Sequence, residues 1–182
     1  MEIFKSIFEI LTTPNEGVSN IICAPLVVFE PLIIMLIFTN IFNIYSTKKQ
    51  KTLYVISISI LAIISRFIIP NPYGTFLNII TVLLLTKYIF NISVFKSIFA
   101  PIIPSIMTVI LENIVFKILL LIFHISYEDV IYIPIYKFTA LLSIYITELL
   151  IYYLLKHLKI NIRLLDSMDK KNKVLLFSSF FF

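Results

Sequence analysis

Five ionisable side chains interrupt otherwise apolar runs: Glu30, Arg66, Glu112, Lys117 and Glu148. Near a bilayer midplane each costs roughly 2.5–3.5 kcal/mol on insertion scales, so each needs a partner or a task. Arg66 and Lys117 stand close enough to the ends of their runs for a long cationic side chain to snorkel to the interface. The three glutamates lie deeper. Ser105, Thr108 and Glu112 follow at helical spacing and share one stripe. Lys117 lies about 140° around that helix from Glu112, at about 100° per residue. The two are poor partners within one helix, and contacts between helices are favoured, such as Glu30 with Arg66 or Lys117. Three chemistries are open to this set: carboxyls acting as interhelical glue in paired or protonated form, a polar pocket for a ligand, or a path for protons or ions.

Other reactive groups are sparse. Cys23 is the sole cysteine, which excludes an intrachain disulfide and a thiolate metal site. Cys23 and His124 both fall at outer ends of apolar runs, but no third group orients such a pair. His157 is flanked by Lys156 and Lys159 and reads as a solvated residue beside the membrane. No HExxH, Walker, GxSxG or CxxC pattern occurs. Neither a catalytic site nor a metal or cofactor is expected.

The elements that hold these groups are the apolar runs at 21–45, 53–69, 73–90, 98–123 and 136–155. A hydrocarbon core of about 30 Å needs about 20 helical residues. With 60% of 182 residues hydrophobic and 14% charged, there is little material for a soluble surface. The runs do not alternate at period two, which excludes a β-barrel. The expected fold is all-α, a polytopic transmembrane bundle of five complete spans plus the start of a sixth. Only Gly17 and Gly74 are glycines, so close packing through small residues is expected to be largely absent, with bulky Ile, Leu and Phe interdigitating instead.

The net charge of +5 marks topology rather than nucleic-acid binding. Lys48, Lys49 and Lys51 follow the first run, Lys87 and Lys96 bracket the turn after the third, and Lys156, Lys159, Arg163, Lys170, Lys171 and Lys173 follow the fifth. Residues 70–72 and 124–135 have no Lys or Arg and carry Glu128 and Asp129. The positive-inside rule places the N-terminus outside and 156–173 in the cytoplasm.

Four segments follow. Residues 1–17 form an outer amphipathic helix, with Ile3, Phe4, Ile7, Phe8 and Leu11 at helical spacing, ended by a turn over residues 12–17. Residues 18–155 form the five-span domain, 156–173 a basic cytoplasmic connector, and 174–182 the truncated start of a sixth span. In the first span Pro31 frees the carbonyl of Val27, giving either a packed bend or a hinge. Pro101 and Pro104 are expected in the opening turns of the fourth span, where a missing N–H is tolerated. Residues 124–134 read as an aromatic, acidic outer loop at the membrane interface.

The stretches FNISVFKSI at 90–98, HISYEDVIYIPIYKF at 124–138 and LKINIRLLDSMDKKNK at 158–173 carry a resemblance. The chain resembles, over nearly its whole length, the N-terminal membrane sensor region of clostridial GHKL-type sensor histidine kinases. These are related to peptide-pheromone receptors of the accessory-gene-regulator C type. The resemblance implies the signal-receiving part of a two-component system serving quorum sensing, without the phospho-accepting helix or ATP-binding domain. An extracellular hydrophobic peptide, the lipid bilayer and a second copy of the chain are the implied partners, with no nucleic acid. The candidates for ligand binding or signal transmission are Glu30, Arg66, Glu112, Lys117, Tyr127, Glu128, Asp129, Tyr132 and Glu148. The alternative is the substrate-binding subunit of a small-molecule, vitamin-type transporter.

Overall fold

The structure is a computed structural model that describes residues 2–67 and 73–159. Among these residues every regular element is helical: α1 (Glu2–Thr12), α2 (Glu16–Cys23), a 3-10 segment (Ala24–Val28), α3 (Phe29–Ile41), α4 (Lys48–Phe67), α5 (Tyr73–Phe90), α6 (Val94–Phe123), α7 (Tyr127–Tyr132) and α8 (Pro134–His157). The turn at 70–72, most of the connector 156–173 and the run 174–182 lie outside the described residues.

Local chemistry sets the boundaries. Asn15 caps α2 by accepting from the Val18 amide at 3.1 Å, and Ser93 caps α6 by accepting from Lys96. Asn43, Asn91, His124 and Lys159 take positive φ just past α3, α5, α6 and α8, the left-handed terminating conformation that asparagine tolerates best. Three expectations change. Glu16 and Gly17 belong to the first turn of α2 rather than to a turn, because the Asn15 cap starts the helix there. The acidic loop folds in part as α7, closed by a capping box between Ser126 and Asp129. Ser93 starts α6 early enough to make Pro101 and Pro104 interior, where each removes the backbone bond to the carbonyl four residues before it.

Among the described residues, three helical stretches are long and apolar enough to cross a membrane: Glu16–Ile41, Val94–Phe123 and Pro134–His157. Phe76–Phe90 is a shorter apolar helix, and α4 opens on Lys48, Lys49 and Lys51. Only 17% of the apolar window of α6 is buried in the protein, with Ile106, Val109, Ile110, Ile114 and Leu121 all exposed. A patch of that size in water is an aggregation liability, so this surface is one for lipid.

The register follows from a few contacts. Gln50 Nε2 donates to the Ile89 carbonyl at 2.7 Å, and the Ser65 hydroxyl to Asn78 at 2.8 Å, which makes α4 and α5 antiparallel. Thr108 meets Glu148, while Leu119 clusters with Ala140, so α6 and α8 are antiparallel too. Lys137 Nζ donates to Asn20 Oδ1 at 2.8 Å, and α2 and α3 both pack along α8.

Two cores result. The larger centres on Phe38, Tyr54 and Phe90, with Phe38 edge-on to the other two rings at 5.6 and 5.4 Å. Tyr152 and Leu155 pack against it, so the starts of α4 and α6 and the end of α8 share one end of the bundle. Leu119, Val130 and Ala140 form the smaller core toward the other end, beneath α7.

Small residues matter more than the glycine count implied. Ser97, Ala100, Pro101, Pro104 and Thr108 form the buried stripe of α6, and Ala140, Ile144 and Glu148 continue that of α8. Ala100 and Ala140 are essentially inaccessible, so alanine and hydroxyl residues provide the close approach that glycine commonly gives.

Candidate functional site

Glu148 lies past the middle of α8 and is 1% exposed. The Thr108 hydroxyl is hydrogen-bonded to its Oε1, and the same hydroxyl lies 3.2 Å from the Pro104 carbonyl. Among the described residues, Glu148 Oε2 has no hydrogen-bond partner. Thr108 reaches this position because it shares the buried stripe of α6 with Ala100 and Pro104, whose small volumes let α8 approach.

From the third side comes the segment that the sequence marks with two prolines. Residues Ala24–Val28 wind as a 3-10 helix between α2 and α3, with Pro25 near its start and buried Pro31 just beyond it. Pro31 lacks the N–H that the Val27 carbonyl would accept in an α-helix, and the chain tightens instead, the Phe29 amide bonding to Leu26. The expectation of a locally altered first span is met in this form. Asn20 stands beside Lys137, so Pro31 and Glu148, an equal number of residues further on, come to nearly the same level. Glu30 of α3 is exposed and Glu112 of α6 half-buried, and the charges of both reach Glu148.

Of the expected site residues, Glu30, Glu112 and Glu148 therefore gather at one level of the bundle. The partner of Glu148 is a hydroxyl group. Lys117 is exposed on α6, and the side chain of Arg66 lies outside the described residues. The residues of α7 form a separate group. Tyr127 and Tyr132 are exposed, and the Tyr127 ring meets Phe116 edge-on at 5.8 Å. Glu128 is exposed beside them, and Asp129 accepts from the Ser126 amide at 2.8 Å and its hydroxyl at 2.7 Å. Those two donors, the amide first, hold the Asp129 carboxyl below the usual aspartate range. The Tyr132 carbonyl accepts from the Asn15 amide at 2.9 Å, tying α7 to the start of α2.

Below α7, Leu119, Phe123, Ile125, Ile135, Tyr136 and Thr139 line an apolar cavity of about 240 Å³. Among the described residues no three His, Cys, Asp or Glu side chains are grouped to hold a metal ion.

Sequence reasoning did not single out Thr108, Asn20 or Lys137 as site residues. Thr108 was legible only as a member of the Glu112 stripe. Asn20 and Lys137 gave no signal, because their pairing depends on the register of α2 against α8. No family model matches the chain, and comparison with curated proteins and with solved structures finds no similar one.

Proposed function

We propose that this chain is the membrane-embedded sensor part of a two-component histidine kinase of the GHKL type, receiving an extracellular signal such as a hydrophobic peptide. It would cross a bacterial cell membrane five times, with its N-terminus outside. The observation that carries this reading is the placement of α8. One uninterrupted helix of 24 residues, about 36 Å at about 1.5 Å per residue, packs against α1, α2, α3, α6 and α7. At its start lie the cavity and the tyrosines of α7; in its middle is Glu148; at its end are Lys156, His157 and the connector. A ligand favouring one packing of the α6–α7–α8 end shifts a rod that reaches the other face, through its differential affinity for two packings.

Tyr127, Glu128 and Tyr132 rim the signal-receiving end in this reading, and the apolar cavity takes a bulky side chain of the peptide. Glu30, Glu112 and Glu148 sit on the transmission path. The test uses the whole gene product in membrane vesicles with labelled ATP, with and without concentrated culture supernatant from the source organism. Histidine phosphorylation that changes with supernatant, and no longer changes after Tyr132→Ala, supports the reading. No phosphorylation under either condition, together with uptake of a labelled vitamin by intact cells, replaces it with the transport reading.

A further inference from the structure

We infer that Glu148 is a proton-binding site inside the bundle, and that the bound proton holds α6 and α8 together. The inference starts from a count of hydrogens. A threonine hydroxyl carries one proton and two lone pairs. Thr108 Oγ1 is within bonding distance of two oxygens, Glu148 Oε1 and the Pro104 carbonyl. If Glu148 is a carboxylate, both are acceptors, and one proton must serve the two. If Glu148 carries a proton, it donates to Thr108, and Thr108 donates to the Pro104 carbonyl. Each contact then has its own hydrogen.

The surroundings favour the same assignment. Glu148 is 1% exposed, and its Oε2 has no hydrogen-bond partner among the described residues. An ionised carboxylate there is left with a bare anionic oxygen away from water, whereas a neutral acid leaves only a carbonyl. Among the described residues, the charged groups that face it from the neighbouring helices are acidic, Glu112 from α6 and Glu30 from α3, while Lys117 lies five residues beyond Glu112 and Lys156 eight residues further along α8. On α8 the nearest cation toward the N-terminal end is Lys137, about three turns away and bonded to Asn20. α1, α2 and α7 also pack against α8, and they carry Glu9, Glu16, Glu128 and Asp129 together with the cation Lys5.

The step is simple in atoms: the carboxylate oxygen takes a proton from water and returns it there, and no other covalent bond changes. Its structural consequence is larger. Without the proton, Thr108 loses one of its two bonds, and a negative charge is left in the buried contact beside the carboxyl groups of Glu30 and Glu112. The buried contact between Ala100, Pro104 and Thr108 on one side and Ile144 and Glu148 on the other then opens. This coupling stands whether or not the chain serves a kinase.

The test is infrared spectroscopy of the whole chain in lipid vesicles, reading the carbonyl stretch of protonated carboxylic acids above the amide band. A band at neutral pH that is lost in Glu148→Gln, persists in Glu112→Gln and shifts in Thr108→Val is the expected result. A wild-type spectrum without the band, or one whose band disappears in Glu112→Gln and not in Glu148→Gln, overturns the inference. Should Glu148→Gln fail to insert, Thr108→Val decides alone, since an unshifted band means that the protonated acid is not the partner of Thr108.

Discussion

Lys137 Nζ and Asn20 Oδ1 lie 2.8 Å apart, and this bond pins α2 alongside α8 in a parallel register. Both side chains are half-buried, so the ammonium is partly removed from other donors and acceptors. Polar bonds between membrane helices are worth about 0.6–2 kcal/mol. Lys137→Met should therefore destabilise the protein by about 1–2 kcal/mol, and Asn20→Ala by a similar amount. Thermal unfolding in detergent would show the double variant no worse than either single one. Additive losses would mean that the two side chains do not act as a pair.

Pro31 keeps Ala24–Val28 in the 3-10 form by withholding an amide from the Val27 carbonyl. Pro31→Ala supplies that amide and lets the five residues relax toward the α-helix. Each residue then rises about 1.5 Å instead of about 2.0 Å, shortening the segment by about 2.5 Å. Spin labels at Ile21 and Tyr45, both exposed, would report the change as a shorter distance in a Cys23→Ser background. An unchanged distance would show that packing of Leu26 and Val27, not proline, sets the 3-10 turn.

The cap of α7 should be sensitive to acid. The folded Asp129 carboxyl is held below its ordinary range, so its contribution is fully present above the ordinary aspartate value of about 3.9. It is lost as pH falls through the lowered folded value. The amide resonances of Ser126 and Asp129 should move together through that acid range. In Asp129→Asn they should not, because the acceptor no longer titrates.

Helix α1 leaves Phe4, Ile7, Phe8 and Ile10 exposed, and an amphipathic helix of this kind lies in a lipid interface. The chain contains no tryptophan, so Phe8→Trp gives a single reporter. In vesicles its emission should be blue-shifted and quenched by lipids brominated near the headgroup. Emission typical of water would place α1 off the membrane.

Much of this architecture is written locally. The apolar runs forced helices, since a lipid-covered backbone must satisfy its own hydrogen bonds. In the structure the asparagines at 15, 43 and 91 and the serines at 93 and 126 set where helices begin and end, because short polar side chains compete for the nearest free amides or tolerate positive φ, although the apolar pattern by itself did not single them out. Pro25 and Pro31 marked the altered first span for the same local reason. The early start of α6 was less visible, because its apolar run alone suggested a later one.

The sequence also named Glu30, Glu112 and Glu148 as groups out of place in an apolar run. It did not bring them to one level, nor give Glu148 the hydroxyl of Thr108 in place of a cation. Those facts depend on how far one helix slides along another. That offset is decided by small contacts such as Ala100 and Ala140, by Phe38 against Tyr54 and Phe90, and by Lys137 on Asn20. Helical periodicity determines which face a residue occupies; only tertiary packing determines what stands opposite it.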